Sequence, residues 1–334
     1  MATTTVSPRK RLRRTLHVLW WILLILFPLV VALVAYALLR PLSLLWTAAQ
    51  VRLLLAGVHS RYTDVPVGNV GNVRVHYFEG GTGTPLLLVH GLGGRAEDWT
   101  NLIPQLVRDH HHVLALDLPG YGRSQWPKNA QYSIPELAGA VEAFMNKEGL
   151  AQMDLGGWSM GGWIALRVAV DEPQRIRRLI VFDSAGFRWD MTWDQALFEP
   201  DTPQKLRALD NLLMPTHPPM PPTFIQRAIF RYVARHGWVV RRNMDALLTQ
   251  RDLLDGQLGA LKMPVLIVWG KQDYLIPLSV GEQMHKAVPQ SELEIFDGCG
   301  HLAPEMCAGR IGPVVRGFLD EPSPIAGRRA EIAH

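Results

Sequence analysis

The apolar and polar positions along this chain change period several times, and each change predicts an element. From Thr15 to Leu39 there is no formal charge, and His17 is the one strongly polar residue. At about 1.5 Å per residue, that run makes a helix of roughly 37 Å, enough to cross a hydrocarbon core with tilt. Pro28 lies mid-span, where a kink is expected. Arg40-Pro41 breaks the run, and Leu42 to Ala56 resumes it. There Ser43, Thr47 and Gln50 share one helical face, while leucines, alanines and Trp46 occupy much of the rest. Such a pattern suits a helix lying at a membrane interface or one packed on the following domain.

Beyond Tyr62 the helical period gives way. Val73 to Phe78 alternates like a half-exposed strand, ending at Gly80-Gly81. A continuous apolar run follows at Pro85 to Val89, and further strands are expected at Val113 to Leu116, Met153 to Leu155, Arg178 to Phe182, Pro264 to Trp269 and Glu292 to Phe296, with helical sequence between several of them. Short apolar strands alternating with helices predict a mostly parallel sheet covered on both faces, an α/β fold. From Gly186 to Leu261 the alternation stops. The sequence is helical in pattern there, around a proline-rich break from Met214 to Pro222. An insertion after a strand of such a sheet sits above the strand ends, where ligands bind. It reads as a cap, and the methionines with Phe224 favour packing over a polyproline ligand. The expected division is a basic lead at 1–14, a membrane span at 15–39, a juxtamembrane helix at 40–61, a core at 62–186 and 262–320, a cap at 187–261 and a disordered tail at 321–334.

Composition sharpens the first of these. Apolar residues are 48% of the 334, ample for a core, and charged residues only 19%, below the usual quarter. The net charge of +4 is local: residues 1–14 hold five basic residues and no acid, leaving the remainder one charge short of neutral. Nucleic acid is therefore not an expected partner. Five basic residues before the span against Arg40 after it predict a cytoplasmic N-terminus and a catalytic domain outside the cytoplasm, in a bacterium on the periplasmic face of the inner membrane. Ala35-Tyr36-Ala37 resembles a signal-cleavage site, but the apolar run is longer than a signal core. The Arg13-Arg14 pair fits a twin-arginine signal poorly. Two cysteines, Cys299 and Cys307, are too few for a disulfide framework, and whether they pair is open at this point.

Candidate chemistry centres on Gly157-Trp158-Ser159-Met160-Gly161. A serine at a sharp strand-to-helix turn needs small residues on either side, and the helix that follows favours negative charge at its amide end. The base and acid of such a site follow the serine in the chain, with the acid first. Asp273 and His301 each stand just beyond an apolar strand, in Gly270-Lys271-Gln272-Asp273 and Gly298-Cys299-Gly300-His301. Asp183 also ends a strand and is the fallback acid. His90 and Asp117 read as loop-shaping residues. His110, His111 and His112 read as a polar surface loop rather than a metal site. The backbone amides of Leu92 and Met160 are the expected oxyanion donors.

Together His90-Gly91-Leu92-Gly93-Gly94, Asp117 to Ser124, the serine turn and the two strand-end motifs resemble the α/β-hydrolase superfamily over roughly Val73 to Leu319. The N-terminal span adds a resemblance to membrane-anchored monoacylglycerol lipases and single-span bacterial phospholipases A. The Ser159-Met160-Gly161-Gly162 stretch also resembles hydrolases that cleave carbon–carbon bonds in ring-fission products. The resemblance implies acyl transfer through Ser159, His301 and Asp273 with no metal or organic cofactor. Its expected substrates are acyl esters of monoacylglycerols, lysophospholipids or phospholipids, and its expected partners are the bilayer and a second copy joined through the N-terminal helices. Carbon–carbon hydrolysis and a non-enzymatic membrane scaffold are the alternatives.

Overall fold

The computed structural model describes residues 8–107, 111–322 and 326–333. Among them nine strands form one sheet: β1 Val58–Val67, β2 Gly71–Gly80, β3 Thr84–Val89, β4 His111–Leu116, β5 Met153–Trp158, β6 Ile176–Phe182, β7 Val265–Gly270, β8 Ser291–Phe296 and β9 Arg329–Ile332. Their order is β1-β2-β4-β3-β5-β6-β7-β8-β9. β1 and β2 are antiparallel, as are β2 and β4, and every other neighbouring pair is parallel. The helices are α1 Pro8–Leu39, α2 Pro41–Leu55, α3 Ile103–Val107, α4 Ile134–Lys147, α5 Met160–Asp171, α6 Pro203–Leu213, α7 Thr223–Leu248, α8 Leu278–Ala287, α9 Ala303–Met306 and α10 Ala308–Asp320.

Strands β5, β7 and β8 are buried along their whole length; β7 accordingly reads as an unbroken apolar run, whereas β5 and β8 bury carboxylates that pair with arginines, Asp154 with Arg177 and Glu294 with Arg328. One face of the sheet packs on Leu137, Val141 and Phe144 of α4, Ile164 and Leu166 of α5, and Val280 and Met284 of α8. The other packs on Ile103 and Leu106 of α3, Ile311, Val315 and Phe318 of α10, and Leu53 of α2. This two-faced burial holds the C-terminal ends of the parallel strands along one edge.

Three expectations change here. Residues 58–61 belong to β1 rather than to a juxtamembrane helix: Gly57, at φ +77°, lies just past the end of α2, and β2 offers β1 ten paired positions. The tail is not wholly disordered, because β9 adds in parallel to β8 from Leu293↔Arg329 to Phe296↔Ile332. Its polar composition hid it. The strand is held by main-chain bonds at an otherwise open sheet edge, and its charges find partners in Glu282 (2.9 Å, from Arg329) and Lys271 (2.5 Å, to Glu331). His111 and His112 are strand residues rather than a surface loop, with His111 buried. His110 and residues 1–7 of the basic lead lie outside the described residues.

α1 runs unbroken through Pro28. Its segment Leu19–Leu39 has a mean hydropathy of 3.0 with none of it buried, so it is long and apolar enough to cross a membrane. α2 has two unlike faces. Leu53 is buried, Gln50 donates to Glu97 (3.1 Å) and Arg52 to Asn101 (2.6 Å). Leu45, Val51, Leu54 and Leu55 are exposed, the last at 83%. Between β6 and β7 the chain leaves the sheet to form α6 and α7, and α7 packs against α1 and α2, with Trp46 edge-on to Tyr232 (5.4 Å between ring centres).

Candidate active site

Ser159 occupies the turn from β5 into α5 at φ 57° and ψ −120°, a conformation unfavourable for a residue with a side chain. The flanking glycines make it attainable. A Cβ on Gly157 would collide with the carbonyl of Gly161, and one on Gly161 with the carbonyls of Val89 and His90. The turn is fixed on both sides, since Ser159 N–H donates to the Phe182 carbonyl (2.9 Å) and the Ser159 carbonyl accepts from Ala185 (3.1 Å).

The structure brings Asp273 and His301 to this serine. His301 Nε2 lies 2.9 Å from Ser159 Oγ and its Nδ1 lies 2.7 Å from Asp273 Oδ2. A carboxylate only accepts, so Nδ1 carries the proton and Nε2 faces the hydroxyl as an acceptor. Asp273 is held in turn: its Oδ1 accepts from the amides of Leu275 (2.8 Å) and Ile276 (2.9 Å). All three side chains belong to buried residues.

Two features that sequence reasoning missed hold the histidine loop. The indole N–H of Trp158 donates to the carbonyl of His301 (2.8 Å), tying the loop after β8 to the residue before the serine. Cys299 and Cys307 form a disulfide that encloses His301 in a short loop. Trp158 carried no signal beyond its place in the serine motif. Pairing of the two cysteines needed the turn at Gly298 and Gly300 to be known.

Asp183 stands at the end of β6 with φ +44° and accepts from the Gly270 amide (2.7 Å). Burial first, and the nearby Asp273 charge second, push its carboxyl well above the usual range. It forms no hydrogen bond to His301, so the fallback acid lies beside the serine–histidine–aspartate line rather than in it. His90 is neutral: burial lowers its pKa, its Nδ1 faces the Gly91 carbonyl (2.8 Å) and its Nε2 accepts from Leu118 N–H (3.1 Å). Asp117 accepts from Ala96 (2.7 Å) and Arg123 (2.9 Å) and pairs with His76 (2.7 Å), which fixes the loops around His90. The Leu92 and Met160 amides make no hydrogen bond among the described residues, and both residues line a cavity at Ser159.

Two cavities open at that serine. A slim one of about 60 Å³ runs between Met160, Trp163, Phe187, Trp189, Met244 and Leu247. A wider one of about 290 Å³ runs toward the cap and includes His301, Leu206, Leu213 and Val233. Both are walled chiefly by apolar side chains.

A family model described as the alpha/beta hydrolase fold matches residues 84–305. This chain is an α/β hydrolase. As such it is 28% identical over 275 residues to 2-hydroxymuconate semialdehyde hydrolase of Pseudomonas sp. (strain CF600), covering 75% of this chain and 91% of that one. It is 27% identical over 278 residues to a 2-hydroxy-6-oxononadienedioate/2-hydroxy-6-oxononatrienedioate hydrolase of a Pseudomonas species, covering 78% and 96%. Among solved structures, it resembles a membrane phospholipase A described as a bacterial virulence factor. That likeness has a TM-score of 0.73 and 27% identity, over 90% of this α/β hydrolase and 99% of the other chain.

Proposed function

We propose that this hydrolase is a membrane-anchored serine carboxylester hydrolase that cleaves acyl esters of lipids through an acyl-enzyme. The observation that carries the reading is the pair of apolar cavities meeting at Ser159 beneath a cap that packs on α1 and α2. Ser159 Oγ attacks the ester carbonyl while His301 Nε2 takes its proton, and Asp273 holds the imidazole in the required tautomer. The amides of Leu92 and Met160 stabilise the tetrahedral oxyanion. The imidazolium then protonates the leaving alcohol, and a water activated by His301 releases the acid. The slim cavity takes one hydrocarbon chain and the wider one takes the leaving group.

Anchoring rests on the span at Leu19–Leu39 and on the exposed leucines of α2. The phospholipase likeness supports it, because 90% of this chain exceeds the sheet, its helices and the cap, so the match runs into the N-terminal helices. The disulfide favours an oxidising compartment, in keeping with a catalytic domain outside the cytoplasm. Pairing of two copies through α1 and α2 belongs to the same reading.

The two Pseudomonas relatives favour a second reading, carbon–carbon hydrolysis of ring-fission diketones. One panel separates the two. The full chain in detergent is given long-chain lipid esters, short p-nitrophenyl esters and a vinylogous ring-fission diketone, with Ser159→Ala as control. Turnover of lipid esters, abolished in the control, is expected. Activity on the diketone alone would select the second reading, and activity on short soluble esters alone would reject the lipid substrate. Loss of fluorophosphonate labelling in Ser159→Ala excludes a scaffold without catalysis.

A further inference from the structure

A third cavity, of about 380 Å³, lies where α1, α2 and α7 meet. Its character differs from the two at Ser159. Arg40, Arg95, Arg231 and Arg235 line it, together with Ser43, and no Asp or Glu does. Arg95 is buried over the Trp46 ring (3.9 Å) and is neutralised by Glu97 (3.0 Å). Arg40, Arg231 and Arg235 are exposed and make no side-chain hydrogen bond or ion pair among the described residues. Leu42 and Ser43, in the first turn of α2, also line the cavity, and no side chain caps that helix.

The position of this cavity is informative. Arg40 directly follows the apolar segment that ends at Leu39, which is the level of lipid phosphates if the segment spans a bilayer. Trp126, Tyr232 and His236 line both this cavity and the wider apolar one at Ser159. These shared residues make the two cavities neighbours, so a molecule that bridged them would set its anionic group among the arginines and its ester toward the serine. Guanidinium groups on successive turns of α7 suit the oxygens of a phosphodiester.

We infer that this cavity binds the phosphate of a glycerophospholipid or lysophospholipid substrate, so that among lipid esters the enzyme prefers those carrying a phosphate over monoacylglycerols. The inference rests on the lipid-ester reading above and narrows its substrate class. Arg231 and Arg235 supply the contacts that differ between the two kinds of ester, and Arg40 ties the same phosphate to the membrane end of the anchor.

The test uses the full chain in mixed micelles and compares kcat/KM for a lysophosphatidylglycerol and a monoacylglycerol of the same acyl length. The ratio should favour the phospholipid and fall at least ten-fold in Arg231→Gln/Arg235→Gln, mainly through KM. Arg227→Gln alters the same exposed helix one turn earlier, outside the cavity lining, and should leave the ratio within two-fold. A ratio unchanged in the double variant, or shifted equally by Arg227→Gln, overturns the site; the latter result would mark a general surface-charge effect. Each single Gln variant serves if the double one does not fold. Binding of a short-chain soluble phosphatidylglycerol to Ser159→Ala, measured by calorimetry, does not depend on turnover. It should be lost in the arginine variants and be at least ten-fold tighter than binding of inorganic phosphate. Binding of the two with equal affinity overturns the lipid assignment. Phospholipid binding without ester turnover would instead reject the hydrolase's lipid-ester reading while leaving the phosphate site standing.

Discussion

The strand ends that carry Ser159, Asp273 and His301 and the helices that cover them are built on different principles. Below, each side chain is fixed by the backbone around it. Ser159 is held by the steric demands of Gly157 and Gly161, Asp273 by two amides, and His301 by a carbonyl bond and a disulfide loop. Above, α6, α7 and α2 are held by contacts between faces, and α7 leaves exposed arginines and partly covered aromatics toward a cavity. The comparison suggests that the lower layer sets which bond can break, while the upper layer sets which molecule arrives. Substitutions below should alter kcat for every substrate, and substitutions above should alter preference.

The largest expected effect is Ser159→Ala, with ester turnover falling on the order of 10⁴-fold or more and unfolding unchanged within experimental error. Steady-state kinetics beside thermal melts check it, and substantial residual turnover would break the division between layers. Asp273→Asn should cost about 10³- to 10⁴-fold in kcat by unsettling the histidine tautomer. Replacing both Cys299 and Cys307 by serine should destabilise the fold by about 2.5 kcal/mol, from the entropy of a short loop, read as a lower melting temperature. In the upper layer, Leu247→Trp should narrow the slim cavity. Losing the burial of two or three methylenes costs about 2 kcal/mol, or roughly thirty-fold in kcat/KM for long acyl chains relative to short ones. A uniform loss across chain lengths would assign Leu247 to the lower layer instead.

The smallest effect on turnover is expected of Asp183→Asn, below about ten-fold, because Asn tolerates the positive φ and keeps the acceptor for Gly270. Its signature is pH dependence. An acid whose folded pKa is raised stabilises the fold at low pH, and that contribution is lost as pH climbs from the unfolded value of about 4 toward the folded one. The wild type should therefore lose stability over that rise, and the Asn variant should lose less. Equal pH profiles would mean that Asp183 is ionised in the folded protein.

What could be read in advance follows the same division. The sheet and the serine turn were legible because both depend on local rules: buried strands need apolar runs, and a strained serine needs glycine neighbours. The placement of Asp273 and His301 after their strands followed from the order of elements. β9 was not legible, since Arg329 to Ile332 is polar and gains its order from the open edge of β8. The start of β1 was hidden because Val58 to Arg61 continues a helical run until Gly57 is seen to end it. The basic cavity was missed for another reason. Arg231 and Arg235 are one turn apart in the sequence, but Arg40 reaches them only through the packing of α2 on α7. Arg227, Arg231 and Arg235 at spacings of four were the available signal.

The two unlike faces of α2 bear on how this enzyme would count its substrate. If the hydrolase is anchored as proposed, α2 rests its polar side on the protein and its exposed leucines on lipid, and so keeps the catalytic entrance at a constant height above the bilayer. A lipid ester then need not dissolve in water to be found, and it arrives by lateral diffusion. The quantity that governs rate becomes the mole fraction of ester in the surface. Diluting the membrane with an inert lipid should slow turnover at constant bulk concentration, whereas diluting the whole suspension should barely change it. For such an enzyme, membrane composition is itself a regulator.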